Sequence, residues 1–91
     1  MYRYNKTIAV PYLRQGLIYF WSHNYAALSE QEKNMVKRIC RKAGGEYEDA
    51  LFAYMTTNAS SAKVCMDHFI ERSHLFRMVR KYYIVADEYM K

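Results

Sequence analysis

Two short helical patterns meet at a break of three or four residues between Ser60 and Tyr82, and that junction limits what the chain can fold into. The stretch reads S-S-A-K-V-C-M-D-H-F-I-E-R-S-H-L-F-R-M-V-R-K-Y. Its first pattern runs from Ser60, suited to an N-cap, to about His68, with Val64 and Cys65 on the buried side. The second starts near Arg72 and carries Leu75, Met78, Val79 and Tyr82 at the i, i+3, i+4, i+7 spacing of one buried face. Ile70, in the break, is the kind of apolar residue that pins a turn to a core. Two helices that share a small core across a tight turn make a helix-turn-helix unit.

The rest of the chain must supply that core. Ninety-one residues are expected to form one domain, 1–91, near the lower end of sizes that hold together without staples. Apolar residues make up 52% of the chain, enough for a packed interior. Ten of them are Tyr, whose polar tip predicts half-buried or interfacial rings. One Pro and three Gly provide too few turns for a β-sandwich and argue against a disordered chain. The expected class is all-α: a compact bundle of four or five helices with a C-terminal helix-turn-helix over residues 60–82.

Residues 1–10 have no helical period and are expected to form a flexible basic arm, or a short strand with Ile8 and Val10 on one side. Pro11 suits the first turn of a helix. From there Leu13, Leu17, Phe20, Trp21, Tyr25 and Leu28 follow a helical stripe expected to face the core, with Asn24 its one polar interruption. Gly16 weakens that helix by ~1 kcal/mol. The run Leu17 to Trp21 also suits a buried strand, so residues 8–21 stay open between helix and strand, with helix preferred. Tyr19, Phe20 and Trp21 crowd more aromatic surface than one helix face buries. They read first as core and second as an interface patch.

Ser29 opens the clearest helix, with Glu32 three residues on to complete a capping box. Met35, Val36, Ile39, Cys40 and Ala43 form its buried stripe, and Gly44–Gly45 ends it. Its outer face carries Lys33, Lys37 and Arg41, with Arg38 and Lys42 beside them. Cations in a last turn also suit the helix dipole, which leaves Arg41 and Lys42 a structural role as well as a phosphate-facing one. Glu46 to about Thr57 reads as the next helix, with Tyr47, Leu51, Tyr54 and Met55 inward. After Tyr82, Tyr83 to Ala86 continue the last helix as its tail.

The net charge of +5 is unevenly spread. No acid occurs before Glu30, and basic clusters follow at Lys37–Arg38–Arg41–Lys42 and Arg72–Arg77–Arg80–Lys81. Such a surface attracts polyanions, or acidic proteins equally well. Cys40 and Cys65 lack paired spacing, which fits a reducing compartment. With no apolar run of ~20 residues and no signal-peptide order, no membrane contact and a cytoplasmic location are expected.

On Phe69, Ile70, Glu71, Arg72, Ser73, His74, Leu75, Phe76 and Arg77 the chain resembles the helix-turn-helix regulators of bacteria and phages, whose turn and recognition helix read roughly G-I-S-x-S-T-L-x-R. Cys65 falls at that family's small-residue position, and Leu75 and Met78 at its core positions. Phe69 replaces the turn Gly, and Glu71 the capping Ser or Thr. The resemblance covers about a quarter of the chain. It implies that the start of the last helix enters the major groove, with double-stranded DNA as partner. Arg72, Ser73, Phe76, Arg77 and Arg80 are expected on the outward face. Arg72, Ser73 and Arg77 would read bases, joined by His74. Arg80 and Lys81 would hold phosphates, with Lys37, Arg38, Arg41 and Lys42 adding to them. The function implied is sequence-specific regulation, of bacterial or mobile-element origin, by a homodimer that touches through Tyr19, Phe20 and Trp21.

A second class stays open: a protein-binding module that turns its basic and aromatic surface on a protein partner, as small phage-type inhibitors such as anti-CRISPR proteins do. Phe69, Glu71 and an outward Phe76 favour it. Cys65 and His68, even with His74 and Cys40, lack zinc spacing, and nothing supplies an orienting group or oxyanion donors for a cysteine nucleophile. Glu46, Glu48 and Asp49 are explained by a helix N-terminus. No metal, cofactor or catalytic residue is expected.

Overall fold

A computed structural model describes residues 4–90. Among them lie five α-helices: α1 (Tyr12–His23), α2 (Glu30–Gly44), α3 (Glu48–Thr56), α4 (Ser61–His68) and α5 (Arg72–Tyr89). Single 3-10 turns at Tyr25–Ala27 and Gly45–Tyr47 flank α2, and the described residues contain no strand. The radius of gyration is 12.1 Å, close to the ~12 Å of a compact chain of this length. Residues 12–21 are therefore helical, which settles the helix-or-strand alternative for that segment.

The sequence sets the helix limits locally. Ser29 Oγ accepts the Glu32 N–H at 3.2 Å, and the Glu32 carboxylate accepts the Ser29 N–H at 3.3 Å, so α2 starts on a capping box. It stops at Gly45, whose φ of +56° is open to glycine and costly for other residues. Ser60 Oγ caps α4 by accepting the Lys63 N–H at 3.1 Å. The α4–α5 break falls at 69–71: Phe69 is left-handed (φ 56°, ψ 45°), Ile70 is buried, and Glu71 is extended. The Ile70 N–H returns to the Cys65 carbonyl at 3.1 Å and closes the end of α4.

The core lies where α5 packs along α2, with α3 against both. Val36, Ile39 and Cys40 of α2 meet Leu75, Met78 and Tyr82 of α5 in one cluster with Leu51 and Met55. Tyr82 is fully buried, and its hydroxyl shares a 2.6 Å hydrogen bond with Ser22 Oγ of α1. Burial raises the Tyr82 hydroxyl pKa, so it stays neutral as the bond requires. Burial likewise pushes the Cys40 thiol up to about 12, making it a packing residue rather than a nucleophile.

One expectation is corrected at the N-terminal end. The core-facing side of α1 is Gln15, Ile18 and Ser22, whereas Leu13, Leu17 and Phe20 point away, 74%, 63% and 62% exposed. Apolar residues occupy both sides of this helix, and the side whose polar groups find partners is the one buried. Residues 5–10 lie against the start of α1. Ile8 and Val10 are buried, Gln15 Nε2 donates to the carbonyls of Asn5 (2.9 Å) and Val10 (3.0 Å), and Gln15 Oε1 accepts the Asn5 N–H. These bonds satisfy a buried amide and fasten the segment. The first three residues of the expected arm lie outside the described ones.

Candidate nucleic-acid interface

The candidate surface is the outward side of α5 together with the outer row of α2. Ile70 in the core and Glu71 at the N-cap fix where α5 begins. The Glu71 side chain makes no cap hydrogen bond, so it accepts from none of the first N–H groups of α5. Leu75, Met78, Val79, Tyr82 and Tyr83 point inward. Ser73, Arg77 and Lys81 are exposed and Arg80 is half-buried, all on the opposite side of α5.

The sequence-expected base readers separate into three places on α5. Ser73 and Arg77, at i and i+4, share the outward side. Arg72 is exposed but five residues from Arg77, about 140° around the helix, and it leans toward α4, its Nη2 3.5 Å from Ser61 Oγ. His74 is half-buried, its ring edge-on to Tyr47 at 4.9 Å. Phe76, expected outward, is half-buried and meets Tyr54 edge-on at 6.2 Å. Its position on α5 borders the buried stripe, and Tyr54 supplies a ring for it to cover.

On α2, Lys37, Arg38, Arg41 and Lys42 are all exposed. Arg41 Nε lies 3.6 Å from Glu48 Oε2, and Lys42 Nζ stands 5.1 Å from the centroid of the Tyr89 ring. Exposed contacts of this kind are weak. Lys37 and Arg38 have no ion pair among the described residues.

The aromatic triplet of α1 divides in three ways. Trp21 is half-buried and its indole N–H donates to Glu32 Oε2 at 3.1 Å, tying α1 to the start of α2. That bond, with those from Ser29, holds the Glu32 carboxyl below the usual range. Tyr19 is half-buried and stacks on His23 at 4.1 Å. Phe20 alone of the three is largely exposed. Tyr19 and His23 also border an open cleft of about 460 Å³ with Tyr54, Phe76 and Tyr83. Three separate helices bring those residues together, so no sequence spacing marks the cleft.

A contact the sequence does not signal ties the chain's two ends. Arg14 Nε is 2.6 Å from Asp87 Oδ1, and Arg14 Nη2 donates to the Asp87 carbonyl at 3.3 Å. The first contact lacks hydrogen-bond alignment and is held by charge. Comparison with protein-family models, curated protein sequences and solved structures finds no match to this chain.

Proposed function

We propose that the chain is a sequence-specific DNA-binding regulator that presents the N-terminal half of α5 to the major groove as a helix-turn-helix. The carrying observation is the turn at 69–71, which starts an 18-residue helix whose outward side bears exposed Ser73, Arg77 and Lys81. Arg77 reads bases, since a guanidinium pairs bidentately with guanine O6 and N7. Ser73 assists it. Arg72 serves as a reader or as a phosphate contact beside the N-terminus of α4. Arg80, Lys81, Lys37, Arg38, Arg41 and Lys42 hold phosphates. His74, turned against Tyr47, has the smallest part. A single copy reads few base pairs, so a homodimer on a two-fold site belongs to this reading.

The test is a titration of random and genomic DNA fragments at two salt concentrations. Phosphate contact predicts that log K falls in proportion to log salt. Arg77→Ala is expected to lose discrimination between sequences by about 1–3 kcal/mol, while Lys81→Ala weakens all sequences alike. Identical behaviour of the two variants would remove the division into readers and anchors.

A second reading, a protein-binding module, is favoured by Phe69. Its ring is 92% exposed on a left-handed backbone, and Met66, one turn earlier, is 75% exposed. Aromatic and Met side chains are enriched in protein interfaces. That reading predicts no salt-dependent DNA affinity.

A further inference from the structure

The side of α1 turned from the core is apolar along its length. Leu13 and Leu17 stand one turn apart, 74% and 63% exposed, and Phe20 extends the row at i+7. At Leu17 the row reaches the end of α5, where Arg14, Leu17, Ile18, Asp87 and Met90 line a shallow groove of about 300 Å³. Scattered exposed leucines are ordinary in a monomer, but a row that ends in a groove is an interface feature.

We propose that this face pairs two copies of the chain about a two-fold axis, α1 antiparallel to α1, with Leu13 of one copy entering the groove beside Leu17 of the other. Three observations select a second copy as the occupant. A two-fold contact requires one patch to hold both a projection and a recess, and Leu13 and the groove supply them within one turn of helix. The two charged groups of the groove, Arg14 and Asp87, neutralise each other. A chain of net +5 therefore meets its own copy here without like-charge contact, whereas an acidic partner finds no free cation. Finally, Asp87 lies fifteen residues beyond Arg72, about 22 Å along α5, so the contact leaves the start of α5 uncovered. Two such lengths, about 45 Å together, are enough to reach across the ~34 Å between half-sites one DNA turn apart. This last point rests on the DNA reading, and the first two stand without it.

A handful of part-exposed side chains supply less than the roughly 800 Å² per partner of a standard stable interface. The association expected in free solution is accordingly in the micromolar range.

Sedimentation equilibrium of the full chain without DNA tests the pairing. The average mass is expected to rise from 10.9 kDa toward twice that value as protein concentration climbs through the micromolar range. Leu17→Glu should stay monomeric throughout with an unchanged melting temperature, and Leu13→Ser should weaken association about tenfold. A natural chain that remains monomeric at high micromolar concentration, or a Leu17→Glu variant that associates as well as the natural one, overturns the proposal. Because DNA is absent, a monomer that still binds DNA sinks the pairing alone. A dimer that binds none keeps the pairing and sinks the DNA reading.

Discussion

Helices α1 and α2 are built from opposite kinds of sequence, and the contrast explains what each does. In α2 every large apolar side chain lies toward one side, and Lys37, Arg38, Arg41 and Lys42 fill the other. Only one orientation buries the apolar stripe without burying charge. In α1, Leu13, Leu17 and Phe20 on one side compete with Ile18 on the other, and the apolar pattern alone favours the wrong one. The buried side carries two polar residues, Gln15 and Ser22, that find partners on Asn5, Val10 and Tyr82. Burying polar groups costs little once they are hydrogen-bonded, and the bonds then fix the helix rotation. The side left over is the apolar row proposed to pair with a second copy.

The contrast breaks most readily at the core positions. Ile18→Ala in α1 and Ile39→Ala in α2 should each cost about 2–5 kcal/mol in denaturant unfolding, since both side chains are fully buried. Leu17→Ala should change stability by no more than about 0.5 kcal/mol. A Leu17→Ala loss as large as that of Ile18→Ala would reverse the face assigned to α1.

Phe69→Gly sharpens the comparison at the other end of the molecule. The left-handed backbone at 69 suits glycine, and the exposed ring holds nothing in place. The variant should gain about 1 kcal/mol in unfolding free energy. A loss instead would mean that the ring supports the turn.

The smallest effect concerns His23 at the end of α1. Burial pushes its pKa below 6.5, while its Nδ1 stays 3.0 Å from the Tyr19 carbonyl. The unfolded chain therefore binds the proton first. The contribution of neutral His23 is complete above pH 6.5 and is lost as pH falls through the folded value. A melting temperature that drops slightly below pH 6.5, and does so less in His23→Gln, is the expected result. An identical pH profile for the two chains would contradict it.

Legibility in the sequence follows the range of the interaction. The capping box at Ser29 and Glu32, the cap at Ser60, the stop at Gly45 and the break around Ile70 are local chemistry, and each stands where the spacing places it. The inward residues of α2 and α5 were legible for the same reason, since one side of each is plainly apolar. What was not legible depends on partners far along the chain. Gln15 needs Asn5 and Val10 folded back, Phe76 needs Tyr54, and Arg14 needs Asp87, 73 residues away. Arg72 and Arg77 separate for a simpler reason. Their five-residue offset is not a same-side spacing on a helix, and α4 draws Arg72 away.

The most direct measurement is the affinity of the natural chain and of Arg77→Ala for a selected DNA site and for random DNA, at low and moderate salt. An outward α5 in the groove predicts steeply salt-dependent binding by both proteins, with preference for the selected site lost only in Arg77→Ala. Equal preference in the two proteins, or no salt-dependent DNA affinity in either, would contradict it.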